Sequence, residues 1–300
     1  IFISHFLEDV IQLSDRVTVL KDGEVNGEFL RGAYTKEDLV HAMMGVKVSH
    51  TEFTPFERHD AQHPILAVDR LSSMGKFSNI SFSVEKGDIV GVCGLLGAGK
   101  TEIARAIFGL DPFDSGTITV DGKTIEKPSP DRLLSRGVAL LTEERKHEGF
   151  VPLLSIRENE TLSINKRFRK GLRIDFARQK QFAQRVAETM TVKMVNIEQP
   201  VISLSGGNQQ KVVLAKCLAG EPRLFLLDEP TRGVDVLAKS EIYKILRRYA
   251  EEGTSVVIFS SEIEELLANC SKIFILRKGK LVDCVDSLSV TKNDLLGMIG

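Results

Sequence analysis

The sequence has 300 residues, and its 40 lysines and arginines are balanced by 41 aspartates and glutamates. The net charge of −1 gives no support for a nucleic-acid binder held by bulk electrostatics. No apolar run approaches the ~20 residues that a membrane-spanning helix needs. The four cysteines are scattered through apolar segments, so we expect reduced thiols in a cytosolic protein rather than disulfides or a metal site.

Residues 1–45 predict the end of a strand, a helix, a two-stranded hairpin and a second helix. The same order of elements returns near the other end of the chain. Three pairs of residues mark the repeat, each 256 positions apart: Ser4 and Ser260, Gly23 and Gly279, and Thr35 and Thr291. A repeat of this period indicates a duplicated domain. Because the chain also opens at Ile1, inside an apolar run, we expect residues 1–45 to be the tail of a truncated first domain.

Residues 46–64 form a polar stretch with two prolines and three histidines, His50, His59 and His63. Metal binding by these histidines is one interpretation, but no carboxylate or cysteine pattern completes a site. The composition favours a linker. Residues 65–300 are then expected to be a complete second domain.

A glycine-rich pattern lies between a predicted buried strand at residues 89–93 and a predicted helix at residues 102–108. It has the form G-x-x-x-x-G-K-T and consists of Gly94, Leu95, Leu96, Gly97, Ala98, Gly99, Lys100 and Thr101. Its glycines allow backbone N–H groups to point into one concavity, and the helix N-terminus adds its dipole. Lys100 is expected to reach the β- and γ-phosphates of a nucleotide, and the Thr101 hydroxyl to bind Mg²⁺. The alternative is an ordinary Gly-rich turn in the core.

The rest of the second domain alternates predicted strands and helices, which indicates an α/β fold with ligand at the carboxyl ends of the strands. The predicted strands are residues 65–68, 77–84, 118–120, 138–141, 224–227, 256–259 and 273–276. We expect a mostly parallel sheet with a small antiparallel β element. Residues from about 150 to 205 are predicted to form a helical subdomain.

Ser205, Gly206 and Gly207 stand at the start of a predicted helix. Exposed N–H groups, a hydroxyl and the helix dipole make this a second candidate anion site. An ordinary helix cap would account for Ser205 but not for the two glycines.

Asp228 and Glu229 follow a buried apolar run. Asp228 suits a Mg²⁺ ligand, and Glu229 suits a base that orients an attacking water. Taken alone, two acids after a strand most often belong to a solvated loop. Their position after a phosphate loop and a Ser-Gly-Gly segment favours the chemical interpretation.

The order of the phosphate loop, LSGGNQQK at residues 204–211 and LFLLDEPTRGVD at residues 224–235 resembles the nucleotide-binding subunits of ABC transporters. With TEERKHEG at residues 142–149, the chain is similar to the second half of tandem ATPase subunits that energise monosaccharide importers of the ribose, galactose and xylose type. The resemblance implies a P-loop NTPase fold that uses ATP and Mg²⁺ and couples hydrolysis to sugar uptake. It implies a peripheral position at the cytoplasmic face of the inner membrane, two membrane-spanning permease subunits, an indirect periplasmic sugar-binding protein and no nucleic acid.

The resemblance also implies head-to-tail pairing, with ATP between one domain's phosphate loop and the other domain's Ser-Gly-Gly segment. The phosphate loop and the Asp-Glu pair would hold one nucleotide here. Ser205, Gly206 and Gly207 would complete the nucleotide held by the first domain, and Asp235 would lie at the seam.

The segment from Glu143 to about Leu154 would face the membrane subunit. Its apolar candidates for that contact are Phe150, Val151, Leu153 and Leu154. The same residues could equally belong to the core of the helical subdomain.

The sequence departs from the family pattern in three places. Where a histidine usually contacts the γ-phosphate, the 256-residue offset puts His5 in the first domain and Ser261 in the second. Glu143 stands where glutamine is common. No aromatic residue lies near Leu71 to stack on adenine, and Phe77 is a weak substitute.

Lys100, by contrast, is intact where many second halves carry arginine. Because of the three departures, we hypothesise two unequal composite sites. The site that uses His5 and Ser205 turns over, and the site at Lys100 binds ATP but hydrolyses it slowly or not at all.

Two other functions stay open. A non-transport ABC ATPase of DNA repair or translation is expected to carry a long coiled-coil insertion or basic arms, and residues 102–204 show no sustained heptads. A nucleotide-binding regulatory half with little hydrolysis is compatible with the serine at position 261.

Overall fold

The computed structural model describes residues 1–4, 7–21, 23–44, 64–171 and 173–300. His5 and the three histidines of the predicted linker lie outside the described residues. Among the described helices, none combines the length and the apolar character that crossing a membrane requires.

Residues 7–44 form two helices and a β-hairpin. In chain order these are α1 (Leu7–Leu13), β1 (Arg16–Lys21), β2 (Glu24–Leu30) and α2 (Lys36–Met44). The two strands pair antiparallel. The apolar side chains of these elements meet in a small core of Leu7, Val10, Val19, Leu39 and Ala42.

Residues 64–300 contain the remaining described strands. They are β3 (Leu66–Ser73), β4 (Phe77–Val84), β5 (Ile89–Cys93), β6 (Ser115–Val120), β7 (Lys123–Thr124), β8 (Val138–Leu141), β9 (Arg169–Lys170), β10 (Arg173–Ile174), β11 (Leu224–Asp228), β12 (Ser255–Ser260), β13 (Lys272–Arg277) and β14 (Lys280–Asp286). Six of them form one sheet in the order β14-β13-β5-β12-β11-β8. Only β14 runs antiparallel to its neighbour within that sheet.

The other strands form smaller sheets. β4, β3, β6 and β7 make a four-stranded antiparallel sheet in that order, and β9 pairs with β10. The expected α/β fold, with a mostly parallel sheet and a small antiparallel element, is therefore confirmed.

The helices of this region cover the main sheet or form a separate helical layer. They are α3 (Lys100–Phe108), α4 (Pro130–Ser135), α5 (Ile156–Thr161), α6 (Phe176–Thr189), α7 (Gly206–Leu218), α8 (Val236–Glu251), α9 (Ile263–Asn269) and α10 (Lys292–Ile299). A single π-helical turn occupies Arg145–Gly149. α5 and α6 pack on α7 through apolar side chains such as Ile156, Ala183 and Val212.

The central strands are continuous apolar runs because both of their faces are covered. Alternate residues point to opposite faces of a strand. In β11, Leu224 and Leu226 join the core on the side of α3 and the antiparallel sheet, whereas Phe225 and Leu227 join the core with α7, α8 and α9. The strand consequently carries its carboxyl-terminal acids to one edge of the sheet.

The structure gives the two repeated segments the same order of helices and strands, with equal lengths except that α2 has nine residues and α10 has eight. α1, β1, β2 and α2 begin at residues 7, 16, 24 and 36, and α9, β13, β14 and α10 begin at residues 263, 272, 280 and 292. Each hairpin has a register shift, between Val19 and Leu20 and between Ile275 and Leu276. The 256-residue offset thus extends to backbone detail.

Candidate functional site

The glycine-rich loop connects the end of β5 to the start of α3. Gly97 and Gly99 have φ angles of 78° and 105°, which glycine adopts at little cost. A Cβ atom on Gly94 would lie 2.7 Å from the Leu276 backbone oxygen. The loop therefore needs glycine both for its turns and for close packing.

Lys100 is the first residue of α3, and its side chain is 5% exposed. Its Nζ atom donates to the backbone oxygens of Gly94, at 2.9 Å, and Leu95, at 3.2 Å. The same Nζ lies 3.4 Å from Glu229 Oε1. The structure thus brings together the lysine of the loop and the second acid after β11.

Asp228 is the last residue of β11 and is buried. Its Oδ1 atom has no hydrogen-bond partner among the described residues. Burial raises the pKa of Asp228 to about 7, against the opposing effect of the Thr101 hydroxyl. An unpartnered buried carboxylate oxygen beside a threonine hydroxyl is a donor set that suits a divalent cation.

Glu229 has a φ angle of 46°, a strained conformation for a residue with a side chain. Its Oε2 accepts a hydrogen bond from Ser260 Oγ at 3.1 Å, and its Oε1 accepts one from the Ser261 backbone N–H at 2.9 Å. Its own N–H donates to Phe259 at 2.8 Å. Hydrogen bonds from residues at the end of β12 therefore fix the orientation of the Glu229 carboxylate.

Ser261 lies at the predicted place, but the contact that it makes with Glu229 comes from its backbone. Sequence reasoning missed Ser260, whose hydroxyl contacts the same carboxylate. The sequence did contain a signal for Ser260, since this hydroxyl residue directly follows the predicted strand at residues 256–259.

Glu143 follows β8 and lies beside the loop. Its Oε2 accepts a hydrogen bond from Thr101 Oγ1 at 3.1 Å, and its carboxylate forms an ion pair with Arg232. Sequence reasoning did not single out Arg232. Glu143 thus contacts the same threonine hydroxyl that was predicted to bind Mg²⁺.

Ser205 precedes α7, which begins at Gly206. The Ser205 Oγ accepts a hydrogen bond from Asn208 Nδ2 at 2.9 Å, and no side-chain cap bond to the helix is formed. A Cβ atom on Gly207 would stand 2.6 Å from Ala238 Cβ and 3.2 Å from Asp235 Oδ2. The structure therefore brings Asp235 beside the Ser-Gly-Gly segment, and glycine is required there by close packing.

Asp235 itself caps α8, since its Oδ1 accepts a hydrogen bond from the Ala238 N–H at 3.0 Å. Within the part of the chain that the structure describes, no hydrogen bond or ion pair joins Ser205, Gly206 or Gly207 to the phosphate loop. The two candidate anion sites are thus separate in this chain.

The apolar residues before α5 divide between core and surface. Phe150 is 7% exposed and belongs to the main core, whereas Val151 is 42% and Leu153 is 81% exposed. Leu154 is half-buried. Phe150 therefore belongs to the core, whereas Val151 and Leu153 stay candidates for the predicted contact with a membrane subunit.

Phe77 does not offer a ring for stacking, since it is 4% exposed and packs in the core with Leu71. A cavity of about 430 Å³ lies at the turn between β3 and β4, lined in part by Met74, Lys76 and Lys278. It adjoins the phosphate loop, because a Cβ on Gly99 would lie 3.3 Å from the Lys76 backbone oxygen. Its lining contains no exposed aromatic ring.

The sheet order, the loop between β5 and α3 and the acids at the end of β11 define the class. This chain is a P-loop nucleotide-binding protein with a helical layer inserted between β8 and β11. The family described as "ABC transporter" matches residues 77–232. The chain belongs to the ABC transporter family.

Two curated relatives are named as ribose import ATP-binding proteins. One, RbsA 1 of Rubrobacter xylanophilus, is 38% identical over 299 residues, which are 99% of this chain and 59% of that protein. Another, RbsA of Bacillus cereus, is 40% identical over 281 residues, or 94% of this chain and 56% of that protein. The chain therefore spans somewhat more than half the length of the relatives that it matches.

A solved structure supports the fold. The dimeric post-hydrolysis structure of the ATP-binding cassette MJ0796, bound to ADP and Pi, has a TM-score of 0.65 and 22% identity. The match covers 74% of this chain and 98% of that chain. The P-loop NTPase fold expected from the sequence is confirmed.

Proposed function

We propose that this chain is the second half of an ATP-binding and ATP-hydrolysing importer subunit, which couples ATP binding and hydrolysis to uptake of a monosaccharide. The observation that carries the proposal is the approach of Lys100 Nζ to Glu229 at 3.4 Å, at the carboxyl edge of the sheet. The names of the similar relatives support ribose or a related sugar as cargo.

In the proposed function, the backbone of residues 94–101 and the Lys100 ammonium bind the phosphates of ATP. The residues present fit Mg²⁺, because Asp228 Oδ1 is buried without a partner and the Thr101 hydroxyl lies nearby. A bound Mg²⁺ would neutralise part of the negative charge of the phosphates. Glu229 stands where a base would orient an attacking water. In the hypothesis of two unequal sites, this site binds ATP but hydrolyses it slowly or not at all.

Ser205, Gly206 and Gly207 bind the terminal phosphate of the nucleotide that a paired domain holds, and Asp235 lies at the seam. The separation of this segment from the phosphate loop within one chain supports such pairing. His5 would belong to the first domain, whose tail is formed by residues 1–45. A linker of residues 46–64 then leads to the second domain.

The proposed partners are two membrane-spanning permease subunits and, through them, a periplasmic sugar-binding protein. The proposed position is peripheral, at the cytoplasmic face of the membrane. The exposed side chains of Val151 and Leu153 support a contact surface in the segment after Glu143.

The test is nucleotide binding by the full-length protein that contains this chain. Lys100→Ala should lower the affinity of the second-domain site for ATP at least about tenfold, because it removes charge-assisted hydrogen bonds to phosphate. Lys123, an exposed lysine on β7, provides the matched control. Unchanged ATP affinity in Lys100→Ala, or an equal loss in Lys123→Ala, would contradict the proposed function.

A further inference from the structure

The segment between β8 and α5 carries a basic side chain that the site described above does not use. The Nε and Nη1 atoms of Arg145 are buried and have no hydrogen-bond partner among the described residues. Two nearby carboxylates are paired with other arginines, Glu143 with Arg232 and Glu148 with Arg105. The adjacent Glu144 is exposed, and the lowered pKa of Arg145 has burial as its cause, with no contribution from a described carboxylate. Arg145 thus holds buried N–H donors and a charge that no described side chain neutralises.

Such an arrangement is unfavourable unless a partner comes from outside the described chain. A buried donor without an acceptor loses its hydration and gains no hydrogen bond in exchange. Burial lowers the pKa of Arg145, and no carboxylate opposes this effect. Arginine nevertheless stays protonated at neutral pH, so the group keeps its charge. The chemistry of the missing partner is therefore that of an anion.

The guanidinium lies beside the first turn of α7. A Cβ atom on Gly206 would stand 3.4 Å from Arg145 Nη2 and 3.5 Å from the Gly233 backbone oxygen. α7 has 13 residues, and the N–H groups of its first turn have no acceptor within the helix. The arginine and the positive end of the helix dipole thus lie side by side, and both favour the same anion.

A cavity of about 200 Å³ opens beside Arg145. It is lined by Arg145 with the acids Glu143 and Glu144 and with Lys146, His147 and Arg232. The cavity gives an anionic group from a second molecule room to approach the guanidinium.

We propose that Arg145 is a phosphate ligand: with Ser205 and the first N–H groups of α7, it binds the terminal phosphate of the nucleotide held by the paired domain. This inference rests on the proposed function, because it requires the same head-to-tail pairing. The planar fork of guanidinium N–H groups matches the oxygens of a phosphate. The contact exists with a triphosphate and is lost with a diphosphate, so Arg145 makes pairing depend on the γ-phosphate.

The experiment uses the full-length protein and compares a non-hydrolysable ATP analogue, AMP-PNP, with ADP in calorimetric titrations. Arg145→Gln should weaken AMP-PNP binding about 10- to 100-fold and change ADP binding less than about twofold. Arg145→Lys keeps the charge without the fork and should give an intermediate loss. Lys123→Gln removes the same charge from an exposed residue on β7, outside the lining of this cavity, and should leave both affinities unchanged.

Equal losses for AMP-PNP and ADP, no loss for either, or an equal effect of Lys123→Gln would overturn the proposal. The Tm of Arg145→Gln, measured without nucleotide, distinguishes phosphate binding from a purely structural role of Arg145. Loss of an unpaired buried charge should leave the Tm unchanged or raise it, and a lower Tm in Arg145→Gln would assign the residue to the fold instead.

The two proposals can fail separately. If the wild-type protein binds neither nucleotide, the proposed function fails. If the wild type binds AMP-PNP and Ser205→Ala weakens that binding while Arg145→Gln does not, only the inference about Arg145 fails.

Discussion

Among single residues, Glu160 on α5 differs from the acids of the nucleotide site. It is fully buried, and neither of its carboxylate oxygens has a hydrogen-bond partner among the described residues. Burial raises the pKa of Glu160 well above its ordinary value of 4.5. In the folded protein the side chain therefore stays protonated and neutral at pH 4.5 and at pH values above it, up to its raised pKa.

Replacement of this acid by leucine should stabilise the protein. Above pH 4.5 the unfolded state releases the Glu160 proton that the folded state retains, so wild-type stability falls as pH rises. Glu160→Leu removes this cost, and we expect a gain of about 1–3 kcal/mol in the free energy of unfolding at pH 8. The gain should shrink as pH falls toward 4.5, as measured by urea unfolding at several pH values.

Glu188→Leu, at an exposed position of α6, is the matched control and should change stability by no more than about 0.5 kcal/mol. A Glu160→Leu protein with the pH dependence of the wild type would show that Glu160 does not titrate differently in the two states.

The sequence singles out candidate residues where they belong to a local pattern, and their roles stay predictions. Lys100, Asp228 and Glu229 stand in a local pattern that phosphate and Mg²⁺ binding require. Arg232 contacts Glu143 only because two loops meet in three dimensions, and no local pattern marks it. For Ser260 the signal was weak, a hydroxyl residue at the end of a predicted strand.

At the scale of elements, the segment before α5 shows how neighbouring apolar residues acquire different roles. Phe150 is buried in the main core, and Leu153, three residues later, is 81% exposed. Around Pro152 the apolar residues have neither a helical nor a strand period. The sequence could therefore not assign core and surface here.

A pair of alanine substitutions should separate these roles. Phe150→Ala should lower the free energy of unfolding by about 3–5 kcal/mol, because it creates a cavity in a packed core. Leu153→Ala should change it by less than about 0.5 kcal/mol and should reduce co-purification of the permease subunits. The measurements are chemical denaturation and affinity capture of the assembled transporter.

Stability losses of equal size would contradict the division of this segment into core and surface. Undiminished permease capture by Leu153→Ala would contradict its proposed contact.

Elements with a continuous apolar run were predicted well. β8 has the predicted residues 138–141, and β11 and β12 extend their predicted ranges by one or two residues. Because these strands are covered on both faces, their residues are apolar throughout, and the apolar run marks the extent of each strand. β3 continues to Ser73, beyond the predicted end at residue 68. The prediction ended too early because the later part of the strand is largely polar and pairs irregularly with β4.

For the whole molecule, the hypothesis of two unequal nucleotide sites makes a direct prediction. Glu229 contacts the backbone of Ser261, and no imidazole stands at this position. Glu229→Gln should therefore leave most of the ATPase activity of the full-length protein. The equivalent substitution in the first domain should reduce turnover about 100-fold, because it removes the base of the site to which His5 and Ser205 would contribute.

Steady-state ATPase assays of the two variants, at matched protein concentration, check this prediction. Equal loss of turnover from both substitutions would rule out the inequality of the sites.

The repeated segments have a further consequence, which concerns symmetry. Leu7, Val10 and Leu39 are buried at the positions that correspond to Ile263, Leu266 and Leu295, and the elements that carry them have matching starts and register shifts. Two copies whose elements start at equivalent positions can approximate a two-fold axis when they pair. Any difference between the two nucleotide sites would then arise from side chains such as Ser261, and not from backbone spacing.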